Sequence, residues 1–179
     1  KGSDSVHIVI DPNGGFQLWL GEAKFYNSLE DARLYEPINS VEQMLRKPIM
    51  KKECGIMTNL NKLAKQIENQ TLLKKIKECF DENTSIDEIK PKLHIPILLL
   101  HECQITASTT EMSDEYKNII CFHRDRAHSF FKKQINKLSS VHKYSEINFH
   151  LILFPVPDKT KIVNWFISQA KNLKNDADE

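Results

Sequence analysis

The sequence predicts an α/β fold: a mixed sheet, built from an antiparallel hairpin and later parallel strands, flanked by helices. Three observations predict it. Two β-rich runs, residues 6–10 and 16–26, are separated by the turn signal Asp11-Pro12-Asn13-Gly14-Gly15. Two nearly continuous apolar runs, residues 94–101 and 147–154, read as strands buried on both faces. Between these runs lies a stretch with helical apolar spacing, and strand, helix, strand in that order implies a right-handed parallel crossover.

The elements follow in chain order. Pro12 suits the second position of a type I turn, and Gly14 is expected to take the left-handed conformation that closes a three-residue hairpin loop. Asn27-Ser28 ends the second strand, and Ser28-x-x-Asp31 reads as a helix cap. The helix that follows runs to about Arg46, with Pro37 kinking it or restarting it as a first-turn proline. A second helix is expected over 59–80, where Leu60, Leu63, Ala64, Ile67, Leu73, Ile76 and Phe80 keep helical spacing. Ser85-x-x-Glu88 caps a short helix. After the polar loop 108–113, Ala127, Phe131, Ile135 and Leu138 mark one face of a long helix. Asp158 caps the last helix, whose Ile162, Val163, Phe166, Ile167 and Ala170 form an apolar stripe. The 48–55 region is the only linker-like stretch.

With 179 residues, 40% of them hydrophobic and 27% charged, the chain can bury one core, which excludes disorder as its main state. One domain over 1–171 and a polar tail over 172–179 are expected. Lys+Arg 25 against Asp+Glu 24 leaves a net charge of +1, so nucleic acid can be met only through a local patch. No apolar run approaches the roughly 20 residues that span a bilayer, and the N-terminus leads into a strand rather than a signal peptide. A cytoplasmic protein with no membrane partner is expected. The four cysteines, Cys54, Cys79, Cys103 and Cys121, form no Cys-x-x-Cys pair and read as free buried thiols. Cys121, His123 and His128 cluster, but they lack a fourth zinc ligand at suitable spacing. The chain has no initiator Met and is expected to be a processed product or a fragment.

The chemistry concentrates on the hairpin. Glu-x-Lys occurs three times, and at 88–90 and 115–117 it falls in helical patterns, where positions i and i+2 point apart. Only Glu22-Ala23-Lys24 lies on a strand, where period two puts Glu22 and Lys24 on one face. A three-residue loop makes Asp11 oppose Gly15, so paired positions sum to 26 and Asp4 faces Glu22. Directly opposed residues have Cβ atoms about 5 Å apart, and like charges so placed repel unless something neutralises them. A divalent cation would: two carboxylates, the Ala23 backbone carbonyl, water and a substrate phosphate form the oxygen set that Mg²⁺ prefers, with Mn²⁺ as the alternative ion. Lys24 stands where an attacking hydroxide or a developing phosphorane charge calls for a cation. The competing reading makes Asp4 a frayed end and Glu22–Lys24 an ordinary ion pair on an edge strand. Against it, Glu22 follows Phe16, Leu18 and Leu20 on the same face, where an unpaired carboxylate is costly.

Two basic patches suit a phosphate backbone. Residues 124–143 carry Arg124, Arg126, Lys132, Lys133, Lys137 and Lys143 against Asp125 alone, and Arg46, Lys47, Lys51 and Lys52 form a smaller cluster. A solvated helix face is the alternative for the first. Trp19 and Trp165 are expected in the core or on a partner surface rather than as base-stacking platforms.

Asp4, the hairpin and Gly21-Glu22-Ala23-Lys24 together resemble the Asp…Glu-x-Lys signature of the PD-(D/E)xK, restriction-endonuclease-like nucleases. More narrowly, Leu18-Trp19-Leu20-Gly21-Glu22-Ala23-Lys24-Phe25-Tyr26 with Phe149-His150-Leu151-Ile152-Leu153-Phe154-Pro155-Val156-Pro157-Asp158 resembles the C-terminal domain of the HamA family, the nuclease subunit of the bacterial Hachiman antiphage system. The resemblance spans most of the chain. It implies a restriction-endonuclease-like, nuclease-like domain and a Mg²⁺-dependent deoxyribonuclease. Asp4 and Glu22 would be metal ligands, and Lys24 would orient or activate the nucleophilic water. It also implies a HamB-like helicase partner. A further acidic residue often stands on a helix before the Asp strand in that superfamily, and the chain begins at Lys1 without one. Two rivals stand beside this expectation: a catalytically silent docking or DNA-binding relative, and a restriction nuclease or RNA-directed toxin of other biology.

Overall fold

Alternating β-branched, leucine and aromatic residues build strands β1 (Ser5–Ile10) and β2 (Phe16–Tyr26) in the computed structural model, which describes residues 4–46, 65, 67–79, 81, 83–108, 111–142 and 144–177. Asp11 organises the turn between them. Its Oδ1 accepts from the N–H groups of Asn13 (2.7 Å) and Gly15 (3.2 Å), while Gly14 sits at φ +79°, the left-handed conformation that glycine adopts without strain. The loop length fixes the register, which runs from Ile10↔Phe16 to Ser5↔Gly21.

Helix α1 (Asp31–Arg46) follows. It starts later than the Ser28 signal suggested, because the Glu30 carbonyl takes the first N–H groups, those of Arg33 and Leu34. Pro37 lies inside it rather than at its first turn. Helix α2 (Gln70–Cys79) is capped by Asn69, whose Oδ1 accepts from Leu72 N–H at 3.0 Å. Residues 67–69 are therefore not helical as expected; the 59–64 part of that expectation lies outside the described residues. Ser85 caps the short α3 (Ile86–Ile89) as read from the sequence, with its Oγ accepting from Asp87 N–H at 3.2 Å. A 3₁₀ turn (Lys90–Lys92) leads into β3 (Leu93–Glu102), and the short helix α4 (Gln104–Ser108) follows. Ser113 caps the long α5 (Asp114–His142) through Tyr116 N–H. After the 3₁₀ turn Tyr144–Glu146 comes β4 (Asn148–Val156) and then α6 (Lys159–Ala177), capped by Asp158. Helix α6 continues into the segment expected to be a tail.

The sheet has the order β1-β2-β3-β4, antiparallel within the hairpin and parallel from β2 to β4. One of its faces is covered. Phe16, Leu18 and Leu20 of β2 and Leu93, Ile95, Ile97 and Leu99 of β3 join Leu34, Ile38 and Val41 of α1, Leu73 and Ile76 of α2, and Ala127 and Phe131 of α5 in one core. The expectation of strands buried on both faces is corrected here. Burial alternates along β3, and β4 is a sheet edge that leaves Ile152 and Phe154 exposed. Both crossover helices lie on one side of the sheet, as right-handed connections in one direction require, so the other side keeps its apolar residues half open. The α6 stripe is likewise unpacked, with Trp165, Phe166 and Ile167 exposed. Cys79 and Cys103 are free and buried, Cys121 is free but exposed, and Cys54 lies outside the described residues. Among the described residues no helix is long and apolar enough to cross a membrane.

Candidate active site

The even positions of β2 point to the covered face, so Glu22, Lys24 and Tyr26 continue the series begun by Phe16, Leu18 and Leu20. Glu22 is 6% exposed and Lys24 17%. A carboxylate so buried needs a partner, and Lys24 Nζ donates to Glu22 Oε1.

Asp4 reaches the same stretch from the hairpin's other arm. Its N–H donates to Gly21 O (2.9 Å), and its Oδ2 accepts from Ala23 N–H (2.9 Å). The side chain thereby continues the ladder where the backbone pairing of β1 ends, and Asp4 brackets Glu22 rather than simply opposing it. Within a strand a residue's N–H and C=O point to the same side, so the Ala23 carbonyl faces the β1 side, with Asp4, away from β3. Asp4 thus engages the Ala23 peptide at the sheet's rim, while the adjacent Glu22 and Lys24 pair on the covered face.

Three further residues belong to this polar column. Tyr26 O–H donates to Glu36 Oε2 (2.9 Å), Arg33 donates to Glu36 Oε1 (2.7 Å), and the Arg33 guanidinium lies 5.5 Å from the Tyr26 ring centre. The Tyr26 hydrogen bond, followed by Arg33, holds the Glu36 carboxyl below its ordinary range, and Lys24 adds to this. Burial first, then the Glu36 hydrogen bond, pushes the Tyr26 phenol well up. Sequence reasoning missed all three. Tyr26 had a signal, since it shares the parity of Glu22 and Lys24; the approach of α1 to β2 had none.

The basic residues are dispersed. Arg126 pairs with Asp31 of α1 at 2.8 Å, and Arg124 pairs with its neighbour Asp125 at 2.8 Å. Lys132, Lys133 and Lys137 are exposed on α5. Arg46 ends α1; Lys47, Lys51, Lys52 and Lys143 lie outside the described residues. Trp19, expected in the core or on a partner surface, is half-buried on the uncovered face, stacked with His94 (4.8 Å) and His150 (5.0 Å). The two imidazoles are joined Nδ1 to Nε2 at 2.9 Å. Burial, then His150, keeps His94 below its ordinary pKa.

Among the described residues no three His, Cys, Asp or Glu side chains converge, and the carboxylates at this end of the hairpin are those of Asp4, on the Ala23 amide, and Glu22, on Lys24. That set suits Mg²⁺, which takes one or two carboxylates, keeps several waters and binds substrate phosphate directly. Comparison with curated proteins finds no match. The family model HamA matches residues 1–170, nearly the whole chain. The chain belongs to the HamA family, and with it to Hachiman antiphage defence.

Proposed function

We propose that this protein is a Mg²⁺-dependent deoxyribonuclease of PD-(D/E)xK type, a cytoplasmic effector that hydrolyses DNA phosphodiesters together with a HamB-like helicase subunit. The observation that carries the reading is the grouping of Asp4, the Ala23 peptide, Glu22 and Lys24 at one place on the hairpin. Asp4, Glu22 and the Ala23 carbonyl would hold the ion, with Mn²⁺ as a substitute; when bound, it supplies Lewis-acid activation of water. Lys24 holds Glu22 in place and offers its ammonium to charge developing on the phosphate. Lys132, Lys133 and Lys137, with Arg124, Arg126 and the Arg46, Lys47, Lys51, Lys52 cluster, would contact DNA phosphates.

One observation favours a second reading. Glu22 and Lys24 are mostly buried and satisfy each other, as a purely structural ion pair would in a silent docking module. DNA cleavage by this protein together with a helicase subunit, with and without Mg²⁺, separates the two. Glu22→Gln and Lys24→Ala should each reduce cleavage at least about a hundredfold, the scale of losing one preorganised electrostatic group. Cleavage undiminished in Glu22→Gln selects the docking module.

A further inference from the structure

Strand β4 is the edge of the sheet, and its outer ladder is unpaired among the described residues. Cys103 N–H donates to Val156 O at 2.9 Å, so Val156 and the other even-numbered residues of β4 turn their N–H and C=O groups toward β3. Phe149, Leu151, Leu153 and Pro155 turn theirs outward. The N–H groups of Phe149, Leu151 and Leu153 have no hydrogen-bond partner among the described residues, and Pro155, which has no N–H to offer, closes the row.

The side chains of the same four residues line a cavity of about 850 Å³ between β4 and α5, with Phe131 and Ile135 on the helix wall. Deep in it, His101 is 1% exposed, and its Nδ1, like that of His123, is buried without a partner among the described residues. The two rings meet edge to face at 5.2 Å. Arg124 and Lys132 stand among the lining residues on α5; Asp125 is the acidic residue there.

We propose that this groove accepts an extended segment of another protein as a fifth strand on β4, apolar at every second position and carrying at least one carboxylate. Strand addition satisfies the outward ladder, and its period of two drops every second side chain toward the cavity, which residues 149–153 and Pro155 of β4 line. A carboxylate complements Lys132, with Arg124, which pairs with Asp125, beside it. A second copy of this chain fits less well, because edge-to-edge pairing of two β4 strands would bring two basic α5 helices side by side. The proposal is independent of the reading of Glu22 and Lys24.

The test begins with random ten-residue peptides displayed on phage and selected on the whole chain. Enriched peptides should alternate apolar residues and contain Asp or Glu. A synthetic copy should slow hydrogen exchange at the amides of Phe149, Leu151 and Leu153. Its affinity should fall at least about tenfold in Leu151→Pro, which deletes an outward donor, and in Arg124→Glu/Lys132→Glu, whose exposed positions leave the fold intact. No enrichment, or binding that leaves those three amides unchanged, overturns the proposal. So does a concentration-dependent dimer that protects them without peptide, which would assign the edge to a second copy.

Discussion

Strands β2 and β4 are both parallel neighbours of β3 and both are apolar through most of their length, yet they meet water very differently. On the covered face Leu18 and Leu20 of β2 are 1% and 0% exposed, whereas Leu151 and Leu153 of β4 are only half-buried; on the uncovered face Ile152 and Phe154 of β4 are 48% and 58% exposed. Strand β2 has a strand on either side and α1 over its even face, so any polar group there is drawn out of water and must be paired. That is why Glu22 and Lys24 are held together and why Tyr26 finds Glu36. Strand β4 has one neighbour, and α5 leaves a groove beside it. The first arrangement builds a preorganised polar site, and the second leaves an open ladder beside an apolar cleft.

The largest effect that tests this contrast is core truncation. Leu20→Ala should cost about 3 kcal/mol in chemical denaturation, while Ile152→Ala should cost less than about 1 kcal/mol. Equal losses would mean that the outer face of β4 is covered after all. A comparable effect comes from β3, which lies between the two strands. Burial, then His123, pushes His101 down from 6.5 to about 4. The folded state therefore refuses a proton that the unfolded chain accepts, so stability present above pH 6.5 is lost as the pH falls toward 4, by up to about 3 kcal/mol. Denaturation curves at several pH values should show this slope in the wild type and a shallower one in His101→Gln. An unchanged slope in the variant would place His101 in contact with water. The smallest effect concerns β2 itself. Glu22→Ala leaves Lys24 without its partner on a covered face, and the double variant Glu22→Ala/Lys24→Ala should recover about 1 kcal/mol of that loss. Additive losses would show that the two side chains do not sense each other.

The fold was readable where the signals are short-ranged. Asp11, Pro12 and Gly14 specify a three-residue loop, and the loop alone fixes the pairing Ser5↔Gly21 at the far end of the hairpin. Ser85 and Asp158 announce their helices because a cap bond spans only two or three residues. Parity placed Glu22 and Lys24 on one face of β2. The same local reasoning misled at Ser28, since Glu30 begins α1, and at residues 67–69, where Asn69 caps a helix that the apolar spacing had carried further back.

What the sequence determined by itself is therefore the set of elements, their order, the hairpin register and the shared face of Glu22 and Lys24, all consequences of geometry within a few residues. Only the tertiary structure decided that Asp4 would bond the Ala23 amide, that Arg33 and Glu36 would join Tyr26, and that β4 would lie at an edge with one half of its ladder unpaired among the described residues. An apolar run carries the same letters whether one of its faces is covered or both are. The number of covered faces is set by where helices from distant parts of the chain dock.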